Sequence, residues 1–161
     1  MLTHYRKPVS LSLVSMDLPV RSFIETAATV YPRDQEQFHL LLHESEIPDH
    51  QLDWCDAMPV AALRKPRLLW LEISPHRAVM TMQGNGKYSY RHLWQGGMYG
   101  VSRYYYQLKE VRPPEQFRLR NFTRELQFTG YPVPEYLRLE YELWCQNVQL
   151  GHYVLSLEIH Q

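Results

Sequence analysis

Residues 136–160 read YLRLEYELWCQNVQLGHYVLSLEIH, and their alternation decides the fold class. On an extended chain Leu137, Leu139, Tyr141, Leu143 and Cys145 share one face, while Arg138, Glu140 and Glu142 share the other. Past Gln146-Asn147 the pattern resumes: Tyr153, Leu155, Leu157 and Ile159 oppose His152, Ser156, Glu158 and His160. A period of about two residues marks a half-buried strand, and a short polar break between two such runs marks a hairpin. One face is packed; the other meets water or a partner.

The same pattern extends back to Arg67. Strands are predicted near Arg67–Ile73, Arg77–Gln83, Lys87–Trp94, Tyr99–Lys109 and Gln116–Phe128, ahead of Tyr136–Cys145 and Gln149–His160, seven in all. Turn residues fill the breaks: Ser74-Pro75-His76, Gly84-Asn85-Gly86, Gly96-Gly97, Pro113-Pro114, and Gly130 with Pro132 and Pro134. Breaks this short make successive strands antiparallel neighbours, hence a meander.

Upstream the period is less regular. Val9, Leu11, Leu13 and Val14 predict a strand over Pro8–Met16. Asp17 and Pro19 suit a helix start, and Val20, Phe23, Ile24 and Ala27 recur at helical spacing, predicting a helix from Val20 to Val30 that stops before Pro32. Gln35–His43 fits a helix or a strand, and Ile47–Pro66 reads as a connection with a short helix around Trp54–Leu63. The expected fold is α+β and predominantly antiparallel β, in a single domain over residues 1–161: a mixed, acidic part over 1–66 and the meander over 67–161. The meander is expected to close into a barrel of the calycin kind. The alternative is a START-like sheet gripping the N-terminal helix, against which stands a chain that ends in a strand rather than a long helix. Both comparisons concern architecture alone.

Hydrophobic residues make up 45% of the chain and low-complexity tracts are absent, which argues against disorder. The N-terminus is polar and basic ahead of a short, Ser-interrupted apolar run, unlike a secretory signal. No stretch approaches the roughly 18 apolar residues that suggest a membrane-crossing helix. Cys55 and Cys145 follow Trp54 and Trp144, form no CxxC, and are expected to be buried thiols in a reducing, cytoplasmic setting.

Net charge is zero, but the charges are segregated. Residues 1–62 hold four Lys/Arg against nine Asp/Glu, residues 63–125 twelve against four, and residues 126–161 one against four. Such asymmetry points either to an anionic partner or to acidic elements packed beside basic strands.

No motif names a reaction. In Gly84-Asn85-Gly86, Ser89 stands where a dinucleotide loop needs its third glycine and a strand follows, so the segment reads as a hairpin turn. His39 and His43 share a face and could join His50, Asp53 or Cys55 around a metal, yet Leu40 replaces the glutamate of an HExxH motif; surface histidines are the plainer reading and no metal is assigned. No GxSxG or local Cys/His signature occurs. Neither catalysis nor a cofactor has positive support.

The basic middle is the most informative stretch. Arg103, Tyr105, Gln107 and Lys109 share one face of a predicted strand, while Tyr104, Tyr106 and Leu108 form the better core set. On the next strand Arg118, Arg120 and Arg124 share a face, interrupted by Phe122. Paired, these strands make a cationic surface of Arg103, Lys109, Arg118, Arg120 and Arg124 studded with Tyr105, suited to phosphates, single-stranded nucleic acid or an acidic protein. A sequence-neutral nucleic-acid binder carries net positive charge and this chain has none, which ranks an acidic protein partner higher. The plainer reading is a solvated face with Arg–Glu pairs through Glu110, Glu115 and Glu125.

A second set, Trp70, Met80, Met82, Tyr90, His92 and Trp94, together with Tyr88, could line a pocket for a flat apolar ligand inside the barrel, or simply fill its core. The expected function is thus a non-catalytic binding or assembly protein that uses its basic aromatic face. A small apolar-ligand carrier is the alternative, and an enzyme acting on a ligand in the same pocket is the third reading.

Overall fold

The computed structural model describes residues 3–19, 21–33, 36–44, 67–83, 88–106 and 115–161. The strands among them are β1 (Tyr5–Ser15), β2 (Arg21–Pro32), β3 (Phe38–Glu44), β4 (Arg67–Ile73), β5 (Arg77–Gln83), β6 (Tyr88–Gln95), β7 (Tyr99–Tyr106), β8 (Glu115–Thr129), β9 (Tyr136–Cys145) and β10 (Val148–Ile159). Each pairs antiparallel with the next, and β10 returns to β1 in register from Val9↔Ile159 to Ser15↔Tyr153, closing an up-and-down barrel. Closure leaves no unpaired sheet edge.

Alternation sends one side chain in two inward. Leu40 and Leu42 of β3, Leu69 and Leu71 of β4, Met80 and Met82 of β5, Leu137 and Leu139 of β9, and Leu155 and Leu157 of β10 form the core with Val9, Val30, Phe38 and Ile73. Burial of this apolar surface is the main stabilising term.

The helix expected over Val20–Val30 is instead β2, so the described residues form an all-β rather than an α+β fold, and the N-terminal helix that a START-like sheet would grip is a strand of the barrel. Ala28 and Val30 are buried, Ile24 and Thr26 are half-buried, and Phe23 is exposed, which is a period of two rather than 3.6. The helical spacing of Phe23, Ile24 and Ala27 mixed outward and inward residues. The β-branched residues Ile24, Thr26, Thr29 and Val30 suit the pleat, and pairing with β1 runs unbroken from Tyr5↔Val30 to Val14↔Arg21. Asp17 caps no helix: Ser15 Oγ accepts hydrogen bonds from the amides of Asp17 and Leu18 at 3.3 and 3.1 Å, shaping the β1–β2 turn. The ambiguous segment ending at His43 is strand β3. Cys145 is exposed rather than buried, because it ends β9 just before the turn. Trp144 points outward beside Glu142, as expected for a regular strand, and the irregularity nearby lies in β10, between Gln149 and Gly151. The helix expected around Trp54–Leu63, Cys55 and Lys109 lie outside the described residues.

Candidate binding face and barrel interior

The outer face of β6, β7 and β8 carries a row of arginines. Arg91 pairs with Arg103 across β6 and β7, and Arg103 pairs with Arg118 across β7 and β8. All three are exposed, and among the residues whose side chains are described none offers them a carboxylate within salt-bridge distance. Like charges directly opposite one another destabilise a sheet. The row is therefore an unfavourable local arrangement that an anion would relieve.

Aromatic residues flank the row. Tyr105 is half-buried two residues beyond Arg103, opposite Ser89 and Gln116. In the other direction along β7 lies Tyr99, 57% exposed, with its ring 4.9 Å from Phe122 and the Arg120 guanidinium 4.7 Å above it. Arg120 also donates to the Gln146 carbonyl at 3.3 Å, and its register partner on β9 is Trp144. Met98 is exposed beside Tyr99.

Arg124 belongs to a different environment. The β8–β9 register shifts between Thr123 and Glu125, and at this bulge Arg124 donates to the Glu142 carboxylate, which also accepts from Trp144 Nε1 at 2.9 Å. Burial raises the Glu142 carboxyl, but the hydrogen bonds from Arg124 and Trp144 and the Arg124 charge outweigh it, leaving the group below its ordinary range. Arg138 bridges Glu125 at 3.4 Å and Glu140 at 3.9 Å. The β9 flank is thus acidic and internally paired. Of the basic residues expected to act together, Arg103, Arg118 and Arg120 share a surface with Tyr105, whereas Arg124 is neutralised at its edge.

The interior from β5 to β10 combines aromatic, thioether and polar side chains. Met80, Met82, His92 and Trp94 are buried, and Tyr90 is half-buried on the same inward face. Trp70 is separate: it sits on the outer wall against Tyr31 and His39, with ring centroids 6.0 and 5.3 Å away, because its neighbours Leu69 and Leu71 take the inward positions of β4. His92 stacks on Trp94 at 4.9 Å. Its Nδ1 lies 2.7 Å from Ser102 Oγ, and its Nε2 lies 3.3 Å from the Tyr104 hydroxyl. Asn121 Nδ2 donates to Ser102 Oγ at 2.9 Å and to the Leu93 carbonyl at 3.1 Å. With Asn121 donating to Ser102 Oγ, the Ser102 hydroxyl can donate to His92 Nδ1, which leaves His92 Nε2–H to donate to the Tyr104 oxygen. Gly100 makes room for it, since a Cβ there would stand 2.1 Å from the Leu93 carbonyl oxygen and 3.0 Å from Asn121 Oδ1. Burial pushes the His92 imidazole down to about 3. At neutral pH His92 is an uncharged hydrogen-bonding group, too weakly basic to serve as a general base.

His39 and His43 do share the outer face of β3, but among the described residues no group of three or more His, Cys, Asp and Glu gathers around them. His39 Nε2 is 3.6 Å from a Glu72 carboxylate oxygen, at a cleft of about 130 Å³ lined also by Gln37, Ser74 and Arg77. Sequence reasoning missed Arg91, Tyr99 and the Ser102–Asn121 pair. The signal for Arg91 was present: once Tyr90, His92 and Trp94 are turned inward, Arg91 must point outward beside β7.

No family model matches the chain, and no curated protein matches it. Among solved structures it is similar to the crystal structure of the ywiB protein from Bacillus subtilis, with a TM-score of 0.59 and 11% identity, covering 97% of this chain and 94% of that one. At that identity the likeness extends to the barrel fold and no further.

Proposed function

We infer that this chain is a non-catalytic binding protein that engages an acidic protein segment through the outer face of β6, β7 and β8. The observation that carries the reading is the direct cross-strand row Arg91–Arg103–Arg118, exposed and without a counter-ion among the residues whose side chains are described. Arginine forks match carboxylates in bidentate geometry, and the flanking Tyr105 and Tyr99 add apolar contact area. On the β9 side the surface runs through Trp144, the register partner of Arg120, to Glu142, which is already paired with Arg124. Fluorescence anisotropy with a labelled Glu-rich peptide tests this. Binding should weaken steeply with added salt and fall at least about tenfold in an Arg103→Ser/Arg118→Ser variant whose circular dichroism is unchanged. Undiminished binding by that variant, or no binding by the parent protein, would overturn the reading.

The second reading, a carrier of a small apolar ligand, is favoured by one observation. Phe117 is the register partner of inward-facing Tyr104 yet is 54% exposed, so an apolar ring stands at the barrel mouth above Tyr104 and His92. Native mass spectrometry of the purified protein should then retain a small bound mass, and an unliganded mass alone would count against it.

A further inference from the structure

We propose that the partner segment of the β6–β8 face is an extended peptide with an apolar anchor residue about four positions from its acidic residues; the proposal rests on the acidic-partner reading above. The face is not uniformly basic. Along the outer side of β7 the order is Tyr99, Val101, Arg103, Tyr105, so the exposed aromatic end and the arginine row stand four residues apart. At roughly 3.3 Å per residue this separation is about 13 Å, which an extended peptide alongside the strand spans in about four residues.

The aromatic end has the composition of an interaction hot spot. Tyr99 and Met98 are 57% and 54% exposed, Phe122 supports the Tyr99 ring from 4.9 Å, and Arg120 covers it from 4.7 Å. Trp144 continues the surface as the register partner of Arg120. Tyr, Trp and Arg dominate binding energetics because they present large, rigid area with a polar tip. Arg120 is held by the Tyr99 ring and the Gln146 carbonyl, so it belongs to the aromatic end, while Arg91, Arg103 and Arg118 remain to meet carboxylates. Charge complementarity fixes one end of the partner and apolar contact fixes the other. Single-stranded nucleic acid, which would stack on Tyr99 and Tyr105, is disfavoured by the zero net charge of the chain.

The test uses labelled peptides bearing three glutamates and one Trp, placed four residues away on either side, eight residues away, or absent. The four-residue spacing in one direction should bind about tenfold more tightly than the Trp-free peptide. Tyr99→Ala, and independently Met98→Ser, should remove that advantage, and Met98→Ser should leave the Trp-free affinity unchanged. Arg103→Ser should weaken all of them. Equal affinity across the spacings would overturn the anchor while leaving the acidic-partner reading intact. No binding by any peptide would overturn both, and tighter binding of an oligothymidylate than of every peptide would replace the partner class with nucleic acid.

Discussion

At the scale of single residues, His92 links packing to pH. Below about 6.5 the unfolded chain takes up a proton on this imidazole, whereas the folded barrel refuses it until about pH 3. The unfolded state binds more protons through that window, so stability is highest above it and falls as pH drops, by about 1.4 kcal/mol for each unit within it. Glu142 acts in the same direction lower down: its carboxyl is depressed in the fold, and its contribution is lost as pH falls through that depressed value. A His92→Gln variant should show a flatter dependence of unfolding free energy on pH between 6 and 4, by about one proton, whatever its absolute stability. Urea titrations at several pH values would measure this, and parallel slopes would contradict it. Residue-level legibility was uneven. Arg103, Arg118 and Arg120 were readable from parity alone. Arg124 also points outward, as parity predicts, but at the bulge between Thr123 and Glu125 it pairs with Glu142, and a bulge leaves no clear mark in this stretch. The neutralisation of Arg124 depends on Glu142, 18 residues away across a strand pair that only the fold defines.

At the scale of elements, β2 shows how a short sequence supports two periods. Phe23, Ile24 and Ala27 satisfy a helical spacing, while Ile24, Thr26, Ala28 and Val30 satisfy an alternating one. The second prevailed because β1 offers a ladder and the barrel needs the strand for closure. The two adjacent alanines discriminate: Ala28 is wholly buried and Ala27 is half-buried on the outer face. Ala28→Asp should destabilise by about 3 kcal/mol or more, whereas Ala27→Asp should cost well under half of that. Thermal melts compare them directly, and equal losses would contradict the register. The seven strands from Arg67 onward were legible because each alternating run is long and bounded by Gly, Pro or Asn. The β8 bulge yields another asymmetry. Arg124→Ala leaves the buried Glu142 carboxylate without its cation, while Glu142→Gln leaves Arg124 in water. The first should lower the melting temperature more than the second; the reverse order would mean that the pair is not what holds the bulge.

At the scale of the whole molecule, closure explains why a chain of zero net charge carries a concentrated basic face. Ten strands closed on themselves spend their inward positions on the core and leave every outward position to the surface. The segregation visible in sequence, with twelve Lys/Arg against four Glu over residues 63–125, becomes spatial because β6, β7 and β8 are consecutive neighbours in a meander. In a fold with crossovers the same charges would be scattered among acidic strands. The central claim is that the β6–β8 face is the binding surface. An isotope-edited NMR titration of the folded protein with a Glu-rich peptide carrying a Trp four residues from its glutamates tests it most directly. The predicted result is a set of saturable amide shifts confined to the outward residues of β6, β7 and β8, centred on Arg91, Val101, Arg103, Arg118 and Arg120, and suppressed by added salt. Shifts centred on another part of the barrel wall, or none at millimolar peptide, would contradict it.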